Sequence, residues 1–90
     1  MQKYMIERNI PGVDQLSGEQ LKGASATSNA ALSQLSPRVQ WVESYVTKDK
    51  TFCVYLAEDE GVIEEHARLS GFPANKITLV TGMIDPTTAG

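Results

Sequence analysis

Apolar positions along this chain change their spacing from one stretch to the next, and each spacing predicts an element. Lys3–Ile10, KYMIERNI, is rich in β-formers and ends at the turn dipeptide Pro11–Gly12, so a strand is expected there. From Ser17 the period lengthens, with Leu21, Ala24, Ser28, Leu32 and Leu35 recurring at three and four, the spacing of one helix face. Ser17 followed by Gln20 is a capping-box pair that opens this helix. Gly18 and Gly23 each weaken a helix interior by roughly 1 kcal/mol, so the helix must lean on tertiary packing. Pro37 ends it, because the residue before a proline is pushed out of helical backbone.

Two β-branched and aromatic runs follow, Val39–Thr47 and Thr51–Ala57, and predict a hairpin around the turn Lys48–Lys50. Glu58–Glu60 put negative charge on the first turn of a second helix, where the helix dipole favours it. That helix stops at Gly71–Pro73: glycine adopts the left-handed C′ conformation, Phe72 packs back and Pro73 blocks continuation. A last strand is expected over Lys76–Ile84, before a polar tail. The order is β-α-β-β-α-β. With right-handed crossovers this is a ferredoxin-like βαββαβ sandwich of the α+β class, an antiparallel four-stranded sheet with both helices on one face. No repeat or low-complexity tract divides residues 1–90, so one domain is expected.

Side chains alternate along strands, so the hairpin register decides which residues meet. A three-residue loop, Lys48–Lys50, pairs Thr47 with Thr51, Tyr45 with Cys53 and Glu43 with Tyr55. One face then collects Val42, Ser44, Val46, Phe52, Val54 and Leu56, and the other Trp41, Glu43, Tyr45, Cys53 and Tyr55. A two-residue loop mixes the two sets. In the segregated register both faces are too apolar for water, and the helices cover only one. The expectation is a homodimer through the open, aliphatic face, an assembly like that of dimeric α/β barrels. The Trp/Tyr/Glu/Cys face then lies under the helices.

Composition narrows the class. The chain has 41% hydrophobic and 21% charged residues, as a soluble globular protein does. A net charge of −3 argues against a nucleic-acid partner, which needs a basic stripe. No stretch approaches the roughly 18 apolar residues of a membrane span, and the N-terminus lacks the pattern of a signal peptide. With a single Cys, an intramolecular disulfide is excluded, and a cytoplasmic location is expected.

The chain's one Trp, one Cys and one His fall within Trp41–Pro73. On the second helix Val62, Ile63, His66, Ala67 and Ser70 share a side, which turns His66 toward the sheet and toward Cys53, Glu43 or Tyr55. Each residue also has an ordinary explanation. A lone inward His is commonly a hydrogen-bonded core residue, a strand Cys a small hydrophobe, and Trp41, Tyr45 and Tyr55 core aromatics. Glu43 needs a partner if buried, and Glu7 and Arg8 on the first strand supply an ion pair or extend a site. No HxH, CxxC or HExxH spacing is present, and a closed structural zinc site is excluded. An open site of His66 with carboxylates, or surface sites shared across the dimer, suits a borderline divalent ion such as Ni²⁺. A Cys53–His66 catalytic pair lacks the helix N-terminus that commonly activates such a thiol.

Several stretches carry a resemblance over nearly the whole chain: ERNIPG (Glu7–Gly12), WVESYVT (Trp41–Thr47), CVYLA (Cys53–Ala57), EEHAR (Glu64–Arg68), GFP (Gly71–Pro73) and IDPTTA (Ile84–Ala89). In these the chain resembles a small bacterial family of ferredoxin-like proteins of unknown function, one branch of which is nickel-binding and nickel-responsive. The resemblance implies a ferredoxin-like subunit, a homodimer and nickel at the dimer surface in at least one relative, and no known reaction.

The first expectation is therefore a cytoplasmic, homodimeric nickel-binding protein without a reaction of its own. The face argument makes His66 its nitrogen ligand, Glu43 or Glu7 an oxygen ligand, and Cys53 a third ligand or a neutral neighbour. The alternative is a dimeric α/β-barrel enzyme or carrier that holds a small organic molecule between sheet and helices. There Trp41, Tyr45 and Tyr55 form the walls, with His66 as acid–base. A third reading is an interaction module whose aromatic face only packs.

Overall fold

A computed structural model describes all residues 1–90. Strand β1 is Gln2–Asn9, followed by a short 3₁₀ turn at Val13–Gln15 and helix α1, Gly18–Leu35. Then come β2 (Val39–Val46), β3 (Lys50–Ala57), α2 (Glu60–Ser70) and β4 (Lys76–Val80). The sheet order is β2-β3-β1-β4 with every neighbouring pair antiparallel, the ferredoxin-like arrangement. The last strand is shorter than expected, ending at Val80 rather than Ile84. Beyond it Asp85 caps a 3₁₀ turn at Pro86–Ala89 by accepting from Thr87 N.

The helix ends follow their local chemistry. Ser17 Oγ accepts from Gln20 N, and the Gln20 side chain accepts from Ser17 N, completing the capping box. Asp59 caps α2 by accepting from Val62 N at 3.0 Å. Gly71 takes φ 79°, the left-handed conformation that closes a helix and that favours glycine.

The hairpin register differs from the expected one. Val46 pairs with Thr51, Ser44 with Cys53 and Glu43 with Val54, so four residues, Thr47–Lys50, lie between the last paired positions. The register then shifts between Glu43 and Trp41, and Trp41 pairs with Tyr55. Val42 is the extra residue of a β-bulge, which reverses the phase of the in–out alternation between the residues before it and those after it. The expected face sets are thereby corrected. Trp41, Cys53 and Tyr55 lie under the helices together with Ser44 and Val46, whereas Glu43 and Tyr45 join Phe52, Val54 and Leu56 on the open face. Glu43 and Cys53 therefore point to opposite sides of the sheet.

The core forms where β1, β3 and α2 meet. Tyr4, Ile6, Cys53, Tyr55, Ala57, Val62 and Ile63 are all buried there, joined by Leu35 and Val39. From α1 only Ser28, Ala31 and Leu35 are buried, so its C-terminal half packs on the core. Its N-terminal half carries Leu21 and Ala24 over a gap, and that gap is the crevice described next.

Candidate functional site

Alternation along β1 puts Tyr4, Ile6 and Arg8 on the helix-covered face, opposite Tyr55, Cys53 and Thr51 of β3. The first two fill the core. Arg8, one step further, reaches the end of the sheet where α1 lifts away, and is only 3% exposed. Here a crevice of about 350 Å³ opens between α1 and the sheet. Ile10, Val13, Leu21, Trp41 and Val46 give it a largely apolar lining, while Arg8, Ser28, Thr51, Cys53 and Tyr55 supply polar atoms. Its size and composition are those of sites for small organic molecules.

Arg8 is held by neutral acceptors. Nη1 donates to Pro73 O at 2.8 Å and to Phe72 O at 3.4 Å, and Nη2 to the Tyr55 hydroxyl at 3.4 Å. The guanidinium carbon lies 5.9 Å from the Tyr55 ring centroid. The α2–β4 connection is thus tied to β1, a tie strengthened by Asn75, whose Oδ1 accepts from Asn9 N and whose N donates to Glu7 O.

Behind the crevice α2 carries His66 into the interior, fully buried, as the side shared by Val62 and Ile63 requires. Its Nε2 lies 3.1 Å from Ser28 Oγ and its ring 5.4 Å from the Tyr55 ring; Nδ1 has no partner in the chain. Burial, reinforced by the Arg8 charge and opposed by the Ser28 contact, holds the imidazole pKa below its usual 6.5. Burial also raises the Tyr55 phenol above 10.0, an effect that the Arg8 charge partly offsets. At neutral pH both rings are uncharged, and Arg8 is the cation of the crevice.

The residues expected to act together are divided between two faces. Trp41, Cys53, Tyr55 and His66 lie on the helix side. Trp41 Nε1 donates to Ser44 Oγ at 2.9 Å, across the bulge, and Cys53 is buried with its Sγ 3.5 Å from Thr51 Oγ1. On the open face, Glu43 is exposed, Tyr45 is 54% exposed, and Glu7 pairs with Lys50 and Lys76. Of the expected ligand walls, Trp41 and Tyr55 line the crevice and Tyr45 does not. The expected metal set of His66, Glu43, Cys53 and Glu7 is not brought together, because Glu43 and Glu7 face away from His66 and Cys53. No three His, Cys, Asp or Glu side chains cluster closely enough to hold a metal ion. The residue that sequence reasoning undervalued is Arg8. Its signal was its place two positions after Ile6 on a buried face.

Four antiparallel strands in this order, with two helices on one side and a crevice between the layers, define a ferredoxin-like α+β protein. A family model described as nickel responsive protein SCO4226-like matches residues 4–80, and the chain belongs to this SCO4226-like family. Among solved structures, the crystal structure of SCO4226 from Streptomyces coelicolor A3(2) matches with a TM-score of 0.76 at 14% identity. The match covers 91% of this chain and 99% of that one, and at this identity the likeness is one of fold. The curated proteins contain no match.

Proposed function

We propose that this protein is a small binding protein, without a reaction of its own, whose crevice between α1 and the sheet holds a small, largely apolar organic molecule. The supporting observation is the crevice itself: about 350 Å³ of space beside a helix half that has no buried residue, walled by Trp41, Leu21 and Val46. A uniformly packed ferredoxin-like sandwich fills that layer with side chains, because interiors pack close to crystal density. Fluorescence titration with the neutral probe N-phenyl-1-naphthylamine tests the reading. Saturable binding that Ala24→Trp abolishes, with the variant's circular dichroism unchanged, supports it. Absent binding, or binding indifferent to Ala24→Trp, overturns it.

The open face supports a homodimer. Met5, Phe52 and Leu56 are only half-buried there and Val42 and Tyr45 are exposed, an apolar surface that a second copy would cover. Sedimentation analysis of the wild type and Leu56→Lys reads this directly, and a monomeric wild type refutes it.

Nickel rests on the family's description. The donors of one chain do not fit a nickel centre: the single imidazole is buried against Ser28, and no carboxylate joins it. Nickel held by this protein would need donors from the surface or from two copies.

A further inference from the structure

The crevice holds a charge that the chain leaves uncompensated. Each of the chain's ion pairs joins exposed or partly exposed partners, namely Arg38–Glu58, Arg68–Glu65, and Glu7 with Lys50 and Lys76. Arg8 is the most buried cation and has no carboxylate within 4.0 Å. Its hydrogen bonds to Phe72 O, Pro73 O and Tyr55 Oη satisfy some of its N–H groups without neutralising it. Taking a charge from water without a counter-charge is costly, and a buried cation is normally paired. A planar guanidinium also presents paired N–H donors that match the two oxygens of a carboxylate.

Building on the small-molecule reading above, the geometry points to a monocarboxylate ligand, bound with its carboxylate on Arg8 and Tyr55 and its aryl or alicyclic body against Trp41 and Leu21. A carboxylate fits better than a phosphate ester because the crevice contributes one cation. Lys50 and Lys76 are engaged with Glu7 on the opposite face, and His66 is neutral. Tyr55, kept protonated, donates its hydroxyl to a carboxylate oxygen once the ligand is in place. Thr51 and Ser28, which also line the crevice, supply hydroxyls at its polar end.

The test is calorimetry of the full chain with 4-phenylbutyrate and with the neutral, nearly isosteric 4-phenylbutyramide. The acid is expected to bind at least about tenfold more tightly than the amide, since only the carboxylate brings a counter-charge and two acceptor oxygens to the buried guanidinium. Arg8→Met is expected to erase that preference, bringing the affinity for the acid down to or below that for the amide. Tyr55→Phe, a milder change should Arg8→Met not fold, is expected to reduce acid binding several-fold and amide binding little. Equal binding of acid and amide by the wild type overturns the carboxylate assignment and leaves the apolar crevice standing. Binding of neither compound, together with no binding of N-phenyl-1-naphthylamine, overturns both.

Discussion

His66 makes folding sensitive to mild acid, in a way that a single substitution isolates. The imidazole is fully buried on α2, faced by Ser28 from α1 and by Tyr55 and the Arg8 charge from the sheet. Unfolded, it titrates near 6.5; folded, it titrates lower, chiefly because burial disfavours the imidazolium. Between those two values the unfolded chain binds the extra proton, so stability is complete above pH 6.5 and is lost as pH falls toward the folded value. For one group that stays neutral when folded, the loss between pH 7.5 and 5.5 reaches at most about 1.4 kcal/mol. With a urea slope near 1 kcal/mol/M, that moves the unfolding midpoint down by at most about 1.4 M. The depressed carboxyls, Glu65 and Asp85, are stabilising above their ordinary values of 4.5 and 3.8 and act only below this window. The chain has one His, so no other imidazole contributes. Urea unfolding at fixed protein concentration, followed by Trp41 fluorescence at several pH values from 7.5 to 5.5, measures the slope. His66→Gln, which keeps a side-chain polar group for Ser28, is expected to be less stable at pH 7.5 and to lose most of the pH dependence. Parallel profiles for wild type and variant would refute the argument.

Three further outcomes follow from the same contacts. Ile6→Ala removes a fully buried side chain between β1 and its neighbours and is expected to cost about 2–5 kcal/mol, measured as a lower urea midpoint. Gly71→Ala meets no atom within 4 Å at the added methyl, so its cost is that of left-handed backbone alone, about 1–2 kcal/mol by thermal or urea unfolding. Calorimetric titration with Ni²⁺ is expected to give the same isotherm for wild type, His66→Gln and Cys53→Ser, because both side chains are buried and lack companion donors; loss of binding in either variant contradicts the placement of those residues.

Where the chain's local chemistry settles a feature, the sequence showed it. Ser17 and Gln20 mark the start of α1, Gly71 marks the end of α2, and Val62, Ile63 and His66 mark the inward side of that helix. The element order, and with it the ferredoxin-like topology, follows from those local signals. The hairpin was expected, but its register was illegible for a different reason. Loop length and bulge are settled by pairing across strands, and VQWVESYV reads equally well in several registers. A uniform alternation sends Glu43 and Tyr45 to the side of Trp41, whereas the bulge sends them away. Glu43 entered the metal set through that error, whereas Glu7 is turned away by the alternation of β1 itself. Arg8 was legible only in part, since its face follows from Ile6, but nothing local says that no carboxylate will come near it.

Val42 has a consequence for insertions and deletions. Before it, paired positions run from Val39 with Ala57 to Trp41 with Tyr55; after it, they run from Glu43 with Val54 to Val46 with Thr51. Remove Val42 and the two ladders join without a step, every other residue keeping both its partner and its face. Deleting one residue from a strand ordinarily reverses everything on one side of the cut. Here it would straighten β2, so shortening the chain at position 42 should disturb the fold less than shortening it at Gln40 or Ser44.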